Sequence, residues 1–237
     1  MYSISGRVRY SEVDASLRLT VTGMMNYLQD CSTFQSEDLD LGVASLNRRC
    51  RAWWLSTWQI VVERWPVLGE EIVVSTWPYA FKGIYGYRNF TIRDRLGDYL
   101  VKADSVWFFF DTAAGRPVRP AEDDIHGYEL SGEERLEMAP MARHILVPSE
   151  YETAEPITVA RHHIDTNHHV NNAQYVEIAR ELLPENFQIR ELRAEYKKAA
   201  VLGDRMFPHI HKEDGAYTIA LTDADGEIFA VVWMRQT

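Results

Sequence analysis

Cysteine is scarce in this chain. Only Cys31 and Cys50 occur among 237 residues. Two thiols are too few for a disulfide framework or a cysteine-built metal site, and a reducing compartment is expected. Long apolar runs are missing too. The strongest, VWFFF at Val106 to Phe110, is far too short to cross a bilayer. The opening MYSISGRVRY lacks the apolar stretch of a signal peptide. Positive charge is in deficit, with 25 Lys and Arg against 35 Asp and Glu and a net charge of −10, which argues against nucleic acid as a partner. What is abundant is apolar surface: 46% of residues are hydrophobic and 25% charged, which excludes disorder and suffices for one large core or two small domains. These absences together predict a soluble, cytoplasmic protein with no membrane insertion.

The order of elements is informative. A short strand over SISGRVRY precedes a helix predicted over Thr20 to Gly42, with Thr20 or Thr22 as its N-cap. Four runs rich in Val, Ile, Trp, Tyr and Phe follow: RAWWLSTWQIVVERW, EEIVVSTWPY, IYGYRNFTIRD and YLVKADSVWFFFD. RLGD, residues 95 to 98, reads as a hairpin turn between the last two. The acidic, Pro- and Gly-containing stretch starting at Ala113 reads as a connector. The pattern then repeats: a strand predicted over ITVARHHID, a helix over VNNAQYVEIARELL, and strand runs FQIRELRAEYKKA, DRMFPHIHK, AYTIALTD and EIFAVVWMRQ, the last two joined by the hairpin signal DADG.

The two halves also match residue by residue. DASLRLT, Asp14 to Thr20, aligns without gaps on DTNHHVN, Asp165 to Asn171. VLGE at Val67 to Glu70 matches VLGD at Val201 to Asp204, and Val106-Trp107 matches Val232-Trp233. The expectation is an α+β chain made of two copies of one unit, each a long helix packed on an antiparallel sheet. The boundaries expected are residues 1–112 for the first domain, 113–145 for the linker and 146–237 for the second.

The polar run DTNHHVNN, followed by a helix, then an antiparallel sheet, twice in one chain, resembles the acyl-ACP thioesterases. MNYLQDCS, RAWWLSTWQIVVERWPVLGEEIVVSTW and ADSVWFFFD resemble that family's N-terminal half. The resemblance covers nearly the whole chain. It implies two tandem hotdog domains, hydrolysis of fatty acyl thioesters on acyl carrier protein, and site residues Asp165, Asn167 and His169. The lack of a plastid-type transit peptide points to a bacterial member. One departure stands out: where the family places a Glu, and in plant members a following Cys, soon after a Y-[RK]-[RK] run, this chain has Ala199 and Ala200 after Tyr196-Lys197-Lys198.

The residues support that chemistry on their own terms. A thiol leaving group, with a pKa near roughly 8.5, needs little protonation help. The site must activate a water and stabilise an oxyanion. Asp165 would position or activate the water, Asn167 would bond the carbonyl or the water, and His169 would act as base or polarise the thioester. The backbone from Val170 to Ala173, at the start of a helix, offers unpaired N–H groups to an oxyanion, with Asn171 and Asn172 as helix caps. Glu177 and Glu181 fall on the polar side of that helix, Glu177 with a small chance as a replacement base. No metal is expected, because the pairs His162-His163 and His168-His169 lack companion ligands, and no cofactor is called for.

In the first half, Ser16 and Arg18 stand where the second has Asn and His, so only the second half is expected to be catalytic. The first would bind the acyl chain through Met24, Met25 and Trp54, with Leu28, Phe34, Trp53 and Trp58 as further candidates. Each of these is equally explained as ordinary core. Cys31, mid-helix, reads as packing rather than nucleophile. An acidic carrier would need a basic patch, for which Arg48, Arg49 and Arg51, or Arg190, Arg193, Lys197 and Lys198, are the candidates. Two readings compete with acyl-carrier hydrolysis: an acyl-CoA thioesterase of the same superfamily, and an acyl-binding protein without catalysis. A hotdog dehydratase fits less well, since the polar run is of the thioesterase type. A homodimer is compatible with the sequence.

Overall fold

The computed structural model describes residues 1–128, 135–141 and 144–236. The chain divides into two units: Met1–Ser56 with Val62–Ala139, and Thr57–Val61 with Pro140–Thr237. In the first, β1 (Tyr2–Arg7) precedes α1 (Val21–Asp38), a short α2 (Val43–Arg48) and the strands β2 (Arg51–Val62), β3 (Glu71–Lys82), β4 (Tyr85–Arg93) and β5 (Tyr99–Asp111). The strand order is β1-β3-β4-β5-β2. β6 (Arg116–Pro117) and α3 (Glu122–Ile125) follow. The stretch read as a connector thus carries structure: β6 turns back on the end of β5, with Phe110 opposite Pro117. Within that connector, residues 129–134 and 142–143 lie outside the described residues.

The second unit repeats the plan. After the two-residue strands β7 (Glu152–Thr153) and β8 (Ile157–Thr158) come α4 (Asn172–Glu181) and the meander β9 (Ile189–Tyr196), β10 (Arg205–Glu213), β11 (Ala216–Thr222) and β12 (Ile228–Gln236). The order β10-β11-β12-β9 is that of β3-β4-β5-β2, so the first strand after each helix crosses to pair with the fourth. Thr57–Val61 of β2 pair antiparallel with β9 in this unit. One expectation fails here. ITVARHHID is strand only at Ile157–Thr158 and then tightens into a 3-10 turn at Arg161–His163. The turn wins because His163 Nδ1 accepts the Ala160 N–H at 3.0 Å, a local bond that competes with a ladder.

Local chemistry explains the helix starts. Thr20 Oγ1 accepts the Gly23 N–H at 3.0 Å, which selects Thr20 over Thr22 as the cap of α1. Asn171 Oδ1 accepts the Ala173 N–H at 2.9 Å and caps α4. α1 buries Met24, Met25, Leu28 and Cys31, and α4 buries Ala173, Tyr175, Val176 and Ala179.

Among the described residues, the buried acids are engaged, as their desolvation requires. In the first unit, Asp104 accepts from Tyr79 and Arg135, and Asn89 Oδ1 accepts the Leu136 N–H, so both tie down the chain after α3. In the second unit, Glu195 accepts the Ile145 N–H at 2.6 Å and pairs with Lys197 at 2.9 Å.

Candidate active site

The loop from Asp165 to Val170 is built by backbone rules that the first unit shares, with one bond more there, from the Arg18 N–H to Asp14 Oδ1 at 3.1 Å. Asp165 N–H bonds the His169 carbonyl at 2.8 Å, and Asp14 N–H bonds the Arg18 carbonyl at 2.8 Å. Asp165 Oδ1 accepts the Asn167 N–H at 2.7 Å, and Asp14 Oδ1 accepts the Ser16 N–H at 2.8 Å. His168 and Leu17 both sit at φ 61°, in the left-handed region. The loops close with bridges Ile164–Val170 and Val13–Leu19. The VLG(E/D) segments match as well: Gly203 N–H bonds Val159 O at 3.0 Å, and Gly69 N–H bonds Val8 O at 2.9 Å. The repeat seen in sequence is therefore a repeat of hydrogen bonds, and it separates what builds the loop from what only the second copy has.

Asp165 holds the turn with Oδ1, while its Oδ2 has no hydrogen-bond partner among the described residues. Asn167 is exposed and its side-chain amide is likewise without a partner among the described residues. His169, two residues further along the loop, is half-buried. The amide and imidazole are what the first copy lacks, having Ser16 and Arg18 instead.

The helix start offers less than the sequence suggests. The Val170 N–H bonds the Ala200 carbonyl at 2.9 Å, the Asn171 N–H bonds the His163 carbonyl at 2.8 Å, and the Ala173 N–H goes to the Asn171 cap. Val170 and Asn171 cannot then donate to an oxyanion, and the expected array narrows to the Asn172 N–H, at the first position of α4. Asn172 is not a cap; its carbonyl accepts from the Tyr196 hydroxyl at 3.0 Å.

Ala199 and Ala200 also find a role. The Ala200 carbonyl receives Val170, and its own N–H donates to the buried Tyr175 hydroxyl at 2.8 Å. The backbone that follows Tyr196-Lys197-Lys198 is thus bonded directly to the loop, with Ala199 exposed at its edge. Tyr175→Phe would orphan the Ala200 N–H. We expect it to cost about 1–3 kcal/mol of unfolding free energy, read from urea melts.

His163 supports the loop from the other side. Its Nδ1 accepts the Ala160 N–H, and its carbonyl receives Asn171. Burial, then the neighbouring His162, holds its pKa below the ordinary histidine value. The sign follows: the neutral ring's contribution is full above the unfolded value of roughly 6.5 and is lost as pH falls through the lower folded value. In the first unit Glu12 does this work, accepting the Arg9 N–H at 2.9 Å. His163→Glu is therefore expected to flatten the acid-side fall in melting temperature between about pH 6.5 and 5.

Other candidates are placed differently. Glu177 is half-buried rather than exposed, while Glu181 is exposed. Met24 and Met25 are fully buried in the core of the first unit, 0% and 2% exposed. Trp54 stacks on Phe110 with centroids 3.9 Å apart. A cleft of about 320 Å³ between β1 and α1, lined by Ile4, Glu12, Tyr27, Asp30 and Phe34 among others, includes none of those three. Cys31 donates to the Val74 carbonyl at 3.4 Å, and burial pushes its thiol up to about 12, so it is no nucleophile. Both basic clusters are largely spent on internal pairs: Arg49 with Asp124, Arg51 with Asp111, Lys197 with Glu195, and Lys198 with Asp223 and Glu227. Among the described residues no cluster of three or more His, Cys, Asp or Glu could hold a metal, and no helix is long and apolar enough to cross a membrane.

Comparison with known proteins bears on both halves. Residues 1–128 match the model of the acyl-ACP thioesterase N-terminal domain, and residues 147–229 match that of the C-terminal domain. The palmitoyl-acyl carrier protein thioesterase of Gossypium hirsutum chloroplasts is 25% identical over 217 residues, covering 84% of this chain and 52% of that protein. The chain thus spans about half the length of the curated relatives it matches. Two solved structures share the fold. An acyl-ACP thioesterase from Bacteroides thetaiotaomicron superposes with a TM-score of 0.88 at 23% identity, covering 98% of this chain and 96% of that one. The 12:0-ACP thioesterase from Umbellularia californica gives 0.87 at 18% identity, covering 99% and 96%.

Proposed function

Because the chain belongs to the acyl-ACP thioesterase family, we propose that it hydrolyses the thioester of a fatty acyl chain on acyl carrier protein, releasing fatty acid and carrier. The observation that carries this reading is the asymmetry of the two loops. Both copies keep the acid that builds the turn, and only the second has an amide and an imidazole, Asn167 and His169, at the positions of Ser16 and Arg18.

The residues divide the work as follows. Asp165 Oδ2 and His169 bind and deprotonate the attacking water. Asn167 orients that water or the thioester carbonyl. The Asn172 N–H at the positive end of α4 faces the oxyanion as it forms. The C–S bond then breaks, and the proton taken from water returns to the departing thiolate. With Ala199 in the family's acid position, Asp165 and His169 carry the base chemistry between them. Residues 146–237 are the catalytic hotdog domain in this reading, and residues 1–112 the acyl-binding one, with Met24, Met25 and Trp54 as packing that sets how much chain is accepted. The cytoplasm is the proposed compartment.

Carrier and coenzyme A present the same thioester, so their comparison tests the substrate. At equal acyl length, kcat/KM for the carrier-bound substrate is expected to exceed that for acyl-CoA by at least about tenfold, about 1.4 kcal/mol of extra transition-state binding. Equal or inverted efficiencies would make the chain an acyl-CoA thioesterase. Tight acyl-carrier binding with no thiol released would make it a binding protein. With Arg49, Arg51, Lys197 and Lys198 already paired, the carrier preference should survive raised salt better than an open basic patch would allow.

A further inference from the structure

The two copies differ at one more pair of positions. The gapless match of Asp14–Thr20 on Asp165–Asn171 runs on into the helices, where Val21 opens α1 and Asn172 opens α4. Met24 therefore stands at the place of Tyr175. The VLGE and VLGD segments likewise put Pro66 at the place of Ala200. The carbonyls of that second pair do the same work: the Leu19 N–H bonds Pro66 O at 2.8 Å, and the Val170 N–H bonds Ala200 O at 2.9 Å. Pro66 has no N–H to satisfy, and Met24 offers no hydroxyl. Ala200 has an N–H, and the Tyr175 hydroxyl accepts it at 2.8 Å.

That bond uses a lone pair of the hydroxyl and leaves its proton over. Tyr175 is 3% exposed, and its O–H has no acceptor among the described residues. A buried donor without an acceptor is costly. Of the nearby carboxylates, Asp165 spends Oδ1 on the Asn167 N–H, and Asp204 spends Oδ2 on the Val201 N–H at 2.9 Å. Burial pushes the phenol up to about 12, with both acids adding to it against the pull of the Ala200 N–H. The proton therefore stays on oxygen at neutral pH. An N–H donated into a hydroxyl also polarises its O–H and makes it the stronger donor. A helical side chain leans toward the N-terminus, which carries Tyr175 back over the first turn of α4. Its ring lies 5.7 Å from that of Tyr196, whose hydroxyl holds the Asn172 carbonyl. The surface is close, since Asp165 and Asn172 are half-buried and Ala199 is exposed.

We propose that the Tyr175 O–H is a second donor to the oxyanion, beside the Asn172 N–H. The proposal rests on the hydrolase reading of this loop. As the water oxygen bonds to the thioester carbon, the carbonyl π pair moves onto oxygen, where the two donors receive it. No proton leaves Tyr175. The pair then returns to re-form the carbonyl, and the C–S pair leaves with sulfur, which takes the proton drawn from water. The tyrosine thus joins Asn167 and His169 as a group that the first copy lacks.

The test separates the donor from the acceptor. Tyr175→Phe alone orphans the Ala200 N–H, so stability and rate would fall together. Ala200→Pro, which copies Pro66, removes that N–H, so Tyr175→Phe in its background takes away the hydroxyl alone. On acyl-carrier substrate, kcat of Ala200→Pro/Tyr175→Phe is expected to fall about 10²-fold below that of Ala200→Pro, with KM little changed, as for other lost oxyanion donors. The melting temperatures of these two proteins should be close. A double variant whose kcat matches that of Ala200→Pro would overturn the proposal, because the hydroxyl would then serve only to cover the Ala200 N–H. If Ala200→Pro does not fold, Tyr175→Phe decides alone, against binding of an S-alkyl carrier thioether, which has no carbonyl. Thioether affinity should stay at the wild-type value while kcat falls. An unchanged kcat, or a thioether affinity that falls as far as kcat does, would overturn the proposal. A wild type that releases no thiol overturns this proposal and the hydrolase reading together. A wild type that turns over beside an unimpaired double variant overturns this proposal alone.

Discussion

Replacing His169 with alanine is expected to lower kcat by about 10²- to 10⁴-fold while KM changes little, the range that positioned acid–base groups supply. The imidazole is the group that distinguishes the second loop from the first, where Arg18 stands. An arginine at that point can neither accept a proton nor act as a neutral hydrogen-bond donor near pH 7. In the proposed mechanism His169 and Asp165 serve one water, so their losses should not add. The double alanine variant should be little slower than either single one. Asn167→Ala should be milder, since it removes orientation and leaves the base in place. A His169→Ala protein that keeps its rate would move the chemistry away from this loop.

Asp165 and Asp14 provide the second large effect, through their difference. Each carboxylate accepts a backbone N–H inside the same turn, at 2.7 and 2.8 Å, and Asp14 takes the Arg18 N–H at 3.1 Å as well. Alanine at either position should therefore cost stability, about 1–2 kcal/mol as for other lost caps, and no less at Asp14 than at Asp165. Turnover should separate them: Asp165→Ala should lose at least about 10²-fold in kcat and Asp14→Ala should stay near wild type. Asp165→Asn refines the test. Its carbonyl oxygen keeps the turn, so stability should hold while kcat still falls. If Asp14→Ala also abolished turnover in folded protein, the assignment of chemistry to the second loop would fail.

Much of the fold is legible in the sequence. The duplication was visible because the residues that build the loop, such as Asp14 and Asp165 or Gly69 and Gly203, are dictated by backbone geometry and so recur in both copies. Strands rich in aromatic and β-branched residues were legible for the same reason, with β5 falling on Tyr99–Asp111 as its run suggests. What could not be read depends on contacts distant in sequence. The Val170 N–H reads as free from its position ahead of a helix, but Ala200, thirty residues on, takes it. The 3-10 turn at Arg161–His163 depends on one ring nitrogen reaching back three residues, which apolar periodicity does not record. The basic clusters looked open because their acids, Asp111, Asp124, Asp223 and Glu227, lie on other elements.

The most direct measurement is the initial rate of thiol release from a panel of acyl-carrier substrates, with purified wild type and the His169→Ala protein side by side, each confirmed as folded. The account predicts release well above the buffer rate for wild type on at least one chain length, and a fall of about 10²-fold or more for the variant. Wild-type protein that is folded and releases thiol no faster than buffer from any acyl-carrier or acyl-CoA substrate would contradict it.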